Sequence, residues 1–129
     1  MAHRTTAVGT HNELLAAAAL MSAGYEVLQP MTPEAYDLAT RNPITKETKY
    51  YQVKTAQERP SRNAIVVHAK NGKKDIYRRD EVDYIIGVLG EDVYVFENRE
   101  LKEYWATPAN IGDKWVLLKG NVKEGCSFE

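Results

Sequence analysis

Cysteine is almost missing. Cys126 stands alone near the end of a chain of 129 residues, so neither an intramolecular disulfide nor a cysteine-based zinc site is available. The three histidines, His3, His11 and His68, are scattered, which argues against a structural zinc. Long apolar runs are also missing. The longest, LLAAAALM from Leu14 to Met21, falls far short of the roughly 20 residues that cross a bilayer. No basic-then-apolar signal segment opens the chain, so a cytoplasmic protein with no membrane association is expected. Internal repeats, linkers and low-complexity tracts are absent as well, and with 43% hydrophobic and 27% charged residues a single domain with its own core is the expectation for 1–129.

Net charge is only -1, but it is unevenly spread. From Lys49 to Arg79 nine basic residues (Lys49, Lys54, Arg59, Arg62, Lys70, Lys73, Lys74, Arg78 and Arg79) face two acidic ones, Glu58 and Asp75, a balance of +7. The remainder has eight basic against sixteen acidic residues. Such asymmetry suits a surface that meets a polyanion, the ordinary alternative being a solvated face.

Periodicity indicates an α/β domain. Leu14, Ala17, Ala18, Met21 and Tyr25 recur at helical spacing and predict a helix over about Thr10 to Ala23, with Gly24 placed to end it. Short strands are expected at Tyr25 to Leu28, Ala35 to Thr40, Lys49 to Ala56, Ala64 to Ala69, Asp83 to Leu89 and Val93 to Glu97. Asn71-Gly72 marks a turn. LKEYW reads as a helical turn and KWVLLK as a late strand. The helix is expected to pack on a mixed sheet.

YYQVKTAQ, Tyr50 to Gln57, poses the chemical question. Period two puts Gln52 and Lys54 on one face and Tyr51 and Val53 on the other, towards a core. Sequential strands usually pair, so Asp37 on the second strand is expected to stand beside Gln52 and Lys54, with Glu13 in the first turn of the helix nearby. Two carboxylates, an amide oxygen and an ammonium in one patch suit Mg²⁺ or Mn²⁺ beside a phosphate. Each residue has a plainer alternative. Thr10-x-x-Glu13 has the spacing of a capping box, and Gln52 and Lys54 suit a solvated edge strand. His3 and His11 suit surface or capping positions. Asp37 is harder to place passively, because aspartate is depleted within strands and costly to bury unpaired.

Glu13 on the first helix, Asp37 in AYDLAT and Gln52-Val53-Lys54, in that order and on those elements, resemble the PD-(D/E)XK nuclease superfamily. Its small Holliday-junction-resolvase-like and group I intron endonuclease-like members are the most similar. The resemblance runs from about Gly9 to Phe96 and includes Tyr77 and Asp83-Tyr84. Ala35-Tyr36 replaces the proline that often precedes the aspartate. Gln52 replaces the acidic residue of the (D/E)XK element, as in some intron-encoded relatives, and offers a ligand oxygen without charge.

The resemblance implies one restriction-endonuclease-like domain that acts as a Mg²⁺- or Mn²⁺-dependent DNA endonuclease, with branched, Holliday-junction-like DNA among its possible substrates. Glu13, Asp37, Gln52 and the Val53 carbonyl would hold the metal, and Lys54 would orient water. Cutting both strands of a duplex with one small site per chain implies a homodimer or higher homo-oligomer. For the DNA backbone, the sequence offers Thr55, Gln57, Arg59 and Arg62 beyond Lys54, Lys70, Lys73, Lys74, Arg78 and Arg79 around the turn, and Arg4 and His11 before the helix. An inactive DNA-binding module of this fold and a protein-interaction domain are the alternatives.

Overall fold

A computed structural model describes residues 4–118; His3, Cys126 and the end of the KWVLLK segment lie outside them. The alanine-rich opening forms α1 (Arg4–Ser22). It starts well before Thr10, because extending an existing helix is far easier than nucleating one. The early start corrects three expectations. Arg4 and His11 belong to the helix rather than preceding it, Glu13 lies in its interior rather than its first turn, and Thr10 cannot cap a helix that already surrounds it. The far end is as expected. Gly24, at φ 104°, takes a left-handed conformation, Gly24 N–H reaches Met21 O at 3.0 Å and Tyr25 N–H reaches Leu20 O at 3.2 Å, which closes the helix as a Schellman motif.

Among the described residues six strands make the main sheet: β1 (Glu26–Leu28), β2 (Leu38–Arg41), β3 (Thr48–Thr55), β6 (Tyr84–Leu89), β7 (Asp92–Glu97) and β9 (Val116–Leu117), in the order β1-β2-β3-β6-β7-β9. All its pairs are antiparallel except β3 with β6. The parallel pair requires a crossover, and the intervening chain supplies most of a second, three-stranded sheet: β4 (Gln57–Arg59) and β5 (Ala64–His68), joined later by β8 (Glu103–Ala106). A single 3-10 turn, Pro60–Arg62, links β4 to β5.

Two cores follow from the alternation along the strands. Tyr51 and Val53 pack with Ala16, Leu20, Leu38 and Ile86 on the α1 side. The opposite face, with Ile85 and Phe96, packs on Val67, Tyr104 and Trp115 around the second sheet. LKEYW is therefore not a helical turn. Tyr104 and Ala106 are buried while Trp105 between them is half-exposed, a period of two that the mixed polar composition conceals. AYDLAT is only partly a strand, since pairing with β3 begins at Leu38. Among the described residues no helix is long and apolar enough to cross a membrane.

Gly87 sits at a close approach of the two sheets. It pairs with Lys54 across β3 and β6, and a Cβ added there would lie 2.8 Å from Val67 Cγ2, closer than carbon atoms can pack. Gly87→Ala is expected to destabilise the fold by about 1–3 kcal/mol through overpacking. Urea unfolding measures this directly, and a wild-type midpoint would show that the sheets separate without cost.

Candidate active site

The site begins where β2 and β3 part. Their pairing ends at Leu38 opposite Tyr51, with a last backbone bond from Asp37 N–H to Tyr51 O at 2.8 Å. Beyond it β3 runs on without β2, and the Asp37 side chain takes the place of the missing strand. Its Oδ2 accepts the Val53 N–H at 2.9 Å and the Gln52 Nε2 at 2.7 Å. Asp37 is thus held by a backbone donor that a longer β2 would have occupied, which answers the cost of a carboxylate in this setting.

The Gln52 amide has a defined orientation. A carboxylate accepts only, so the nitrogen must face Asp37. Gln52 is 9% exposed, and its Oε1 receives no hydrogen bond from the described residues. The Val53 carbonyl also faces the fork, with the Gln52 Nε2 at 3.5 Å.

Glu13 approaches from α1. Asn12, buried at 6% exposure, donates its Nδ2 to Thr55 Oγ1 at 2.7 Å, while the Asn12 Oδ1 lies 3.2 Å from His11 Nδ1. This contact pins α1 to the end of β3 and fixes the neighbouring Glu13. Glu13 and Asp37 line one cleft of about 250 Å³ with Tyr36 and the loop through Pro30 and Glu34. Burial raises the pKa of Asp37, against the opposing pull of the Val53 N–H and the Lys54 charge. Glu13 is raised by burial and then by the negative charge of Asp37. A carboxylate whose ionisation is opposed by burial and by the charge of a neighbouring carboxylate marks a place where a cation is welcome.

Lys54, half-buried, is close enough to Asp37 to be felt electrostatically. Its Nζ donates to the Lys70 carbonyl at 3.1 Å and lies 5.2 Å from the centre of the Tyr77 ring. Among the described residues no three His, Cys, Asp or Glu side chains gather as a ready-made metal cluster. The oxygens at the fork are two carboxylates and a backbone carbonyl, and the Gln52 oxygen joins them only when its amide turns over. That all-oxygen set fits Mg²⁺ or Mn²⁺, which keep several waters, and does not suit zinc.

The other expected contacts fall into groups. Lys70, Lys73 and Lys74 are exposed on one turn closed by a bridge between Lys70 and Ile76. Arg78 and Arg79 follow on the surface, with Arg78 paired to Asp80 at 3.4 Å. Gln57 and Arg59 lie on β4 and bond each other at 2.7 Å, and the Arg62 guanidinium lies 5.7 Å from the Trp105 ring. Thr55 is exposed, but its oxygen already accepts from Asn12. His11 is exposed on α1. The residues missing from the sequence-based site are Asn12 and, behind Tyr77, the buried Asn98, whose Nδ2 donates to the Tyr77 carbonyl at 2.9 Å. Asparagine is unfavourable inside helices, which is a weak signal for Asn12; Asn98 follows β7 with no local signal.

Neither a family model nor a curated protein matches the sequence. Among solved structures, the fold is similar to that of a bacterial homing endonuclease, I-Ssp6803I, with a TM-score of 0.63 and 18% sequence identity, over 83% of this chain and 77% of that one.

Proposed function

We propose that this protein is a metal-dependent DNA endonuclease that hydrolyses phosphodiester bonds. The observation that carries the reading is the fork between β2 and β3, where Asp37 is held by Val53 N–H and Gln52 beside Glu13. The likeness to a homing endonuclease fold supports it. Asp37, Glu13 and the Val53 carbonyl would hold Mg²⁺ or Mn²⁺, joined by Gln52 Oε1 once its amide turns over and releases its hydrogen bond to Asp37. When bound, the cation supplies Lewis-acid polarisation of a phosphoryl oxygen and an acidified water. The chain's own contribution is positional. Asp37 is set by two donors, Glu13 by the Asn12–Thr55 contact, and Lys54 places a positive charge near Asp37 where a water or a phosphate oxygen can be oriented.

Lys70, Lys73 and Lys74 on the turn, with Arg4, His11, Thr55, Gln57, Arg59, Arg62, Arg78 and Arg79, are the proposed DNA contacts. Such contacts make affinity fall linearly with salt on logarithmic axes. Cleavage of both strands calls for a homo-oligomer. The test is cleavage of a panel of linear and branched DNAs, Holliday junctions included, with Mg²⁺, Mn²⁺ or chelator. Metal-dependent products support the reading. Salt-sensitive binding without products in either metal supports instead a binding module of the same fold, the alternative that the uncharged Gln52 favours. Absence of both leaves a protein-interaction domain.

Position 52 offers a sharper probe of the ligand shell. Gln52→Glu adds a third carboxylate to the site, where Nε2 now lies 2.7 Å from Asp37 Oδ2, so the metal-free variant should melt below the wild type. Mn²⁺ should then raise its melting temperature by more than it raises that of the wild type, because a cation neutralises the added charge. Equal metal-induced shifts would put Gln52 outside the shell.

A further inference from the structure

We propose that Tyr77 is a positioning residue for Lys54, and that it couples Lys54 to the basic turn between Lys70 and Ile76; the inference rests on the nuclease reading and adds a residue to that site. The Lys70 carbonyl accepts both Lys54 Nζ at 3.1 Å and Tyr77 OH at 3.3 Å, while the Tyr77 ring lies 5.2 Å from the same ammonium. Lys54 is thereby held by an acceptor and by an aromatic face, which favours a cation over its centre.

The support is rigid from behind. Tyr77 is 8% exposed in the second core, and its backbone carbonyl accepts Asn98 Nδ2 at 2.9 Å. Asn98 is 1% exposed. The same amide nitrogen also reaches the Val82 carbonyl at 2.9 Å, and Oδ1 accepts the Glu100 N–H at 3.0 Å. The turn itself is ordered by Asn71, whose Oδ1 accepts the N–H groups of Lys73 at 2.9 Å and Asp75 at 3.1 Å. A lysine on a four-carbon stem has many rotamers, and an unheld ammonium would be a poor guide for a water. Here the carbonyl that holds it belongs to the turn bearing Lys70, Lys73 and Lys74, so a phosphate gripped by those lysines acts on the same anchor as Lys54.

Two readouts test this. In protein carrying carbon-13-labelled lysine, a ring above Lys54 shifts its ε-methylene resonance away from those of exposed lysines, and Lys54→Arg identifies the signal. Tyr77→Leu should return that resonance to the ordinary position and slow single-turnover cleavage at saturating DNA by about ten- to a hundredfold, with DNA affinity changed by less than about threefold because the turn lysines remain. Tyr77→Phe keeps the ring, and should keep the shifted resonance and recover most of the rate. Because Tyr77 is a core residue, the wild-type resonance is decisive even where Tyr77→Leu does not fold: an unshifted Lys54 signal overturns the proposal. A wild type that cleaves alongside an equally fast Tyr77→Leu overturns it alone. A wild type that cleaves nothing in Mg²⁺ or Mn²⁺ overturns the nuclease reading and the positioning role with it, whatever the resonance does.

Discussion

Glu13→Gln is expected to lower cleavage by about a hundred- to a thousandfold while raising the melting temperature of the metal-free protein at neutral pH. Both effects come from one charge. Glu13 and Asp37 have pKa values raised above the unfolded 4.5 and 3.8, chiefly by burial. A group raised in this way contributes stability that is fully present below its unfolded pKa and is lost as pH rises through the folded one. At neutral pH, without a cation, the pair therefore opposes folding, and removing one charge relieves it. Gln and Glu have similar helix propensity, so α1 itself should be unaffected.

In the wild type, this contribution should fall as pH rises from the ordinary carboxylate pKa values towards neutrality. Mn²⁺ should raise the melting temperature at the upper end of that range and have little effect at the lower end, where protons compete for the same oxygens. Glu13→Gln should flatten both trends. Cleavage at the wild-type rate by Glu13→Gln would remove it from the site and leave Asp37 as the sole carboxylate of the proposed ligand set.

Lys54→Ala is expected to abolish detectable cleavage, a loss of about a hundredfold or more, while DNA affinity changes by only a few fold, since one phosphate contact among many is a small share of binding. Burial raises the Asp37 pKa, and the Lys54 ammonium, with the Val53 N–H, partly offsets it, so removal of the ammonium further disfavours the ionised carboxylate that a metal needs. Lys54→Arg separates charge from placement. It retains the cation but presents a planar fork in place of a point charge on the Lys70 carbonyl, and should recover only part of the rate. Fluorescence polarisation in chelator measures binding and gel assays in Mg²⁺ measure cleavage. Parallel loss of the two would make Lys54 a binding residue and leave the site without its proposed water-orienting group.

Much of the site was legible locally. Gln52 and Lys54 share a face, and Tyr51 and Val53 the opposite one, because a strand's period of two is a property of the backbone alone; the burial of Tyr51 and Val53 beneath α1 follows it. Gly24 ends α1 because a left-handed residue was needed there. The start of α1 was less legible. The Thr10-x-x-Glu13 spacing imitates a cap, whereas the alanine run carries the helix back to Arg4. Strand β8 is not legible locally because LKEYW has no strong period, and Tyr104 becomes an inward residue only when β5 is beside it.

By itself, then, the sequence determined the face of each residue on β3, the C-terminal end of α1 and the clustering of positive charge in the middle of the chain. These depend on neighbours within a few residues. Tertiary structure decided the rest: that β2 leaves β3 at Asp37, that Asn12 on α1 fastens Glu13 beside it through Thr55, and that Lys54 rests on Lys70 and Tyr77. Each of those arrangements joins groups from different elements and exists only once the fold has brought those elements together. A carboxylate then takes a backbone donor in place of a strand, and a lysine takes a carbonyl in place of solvent.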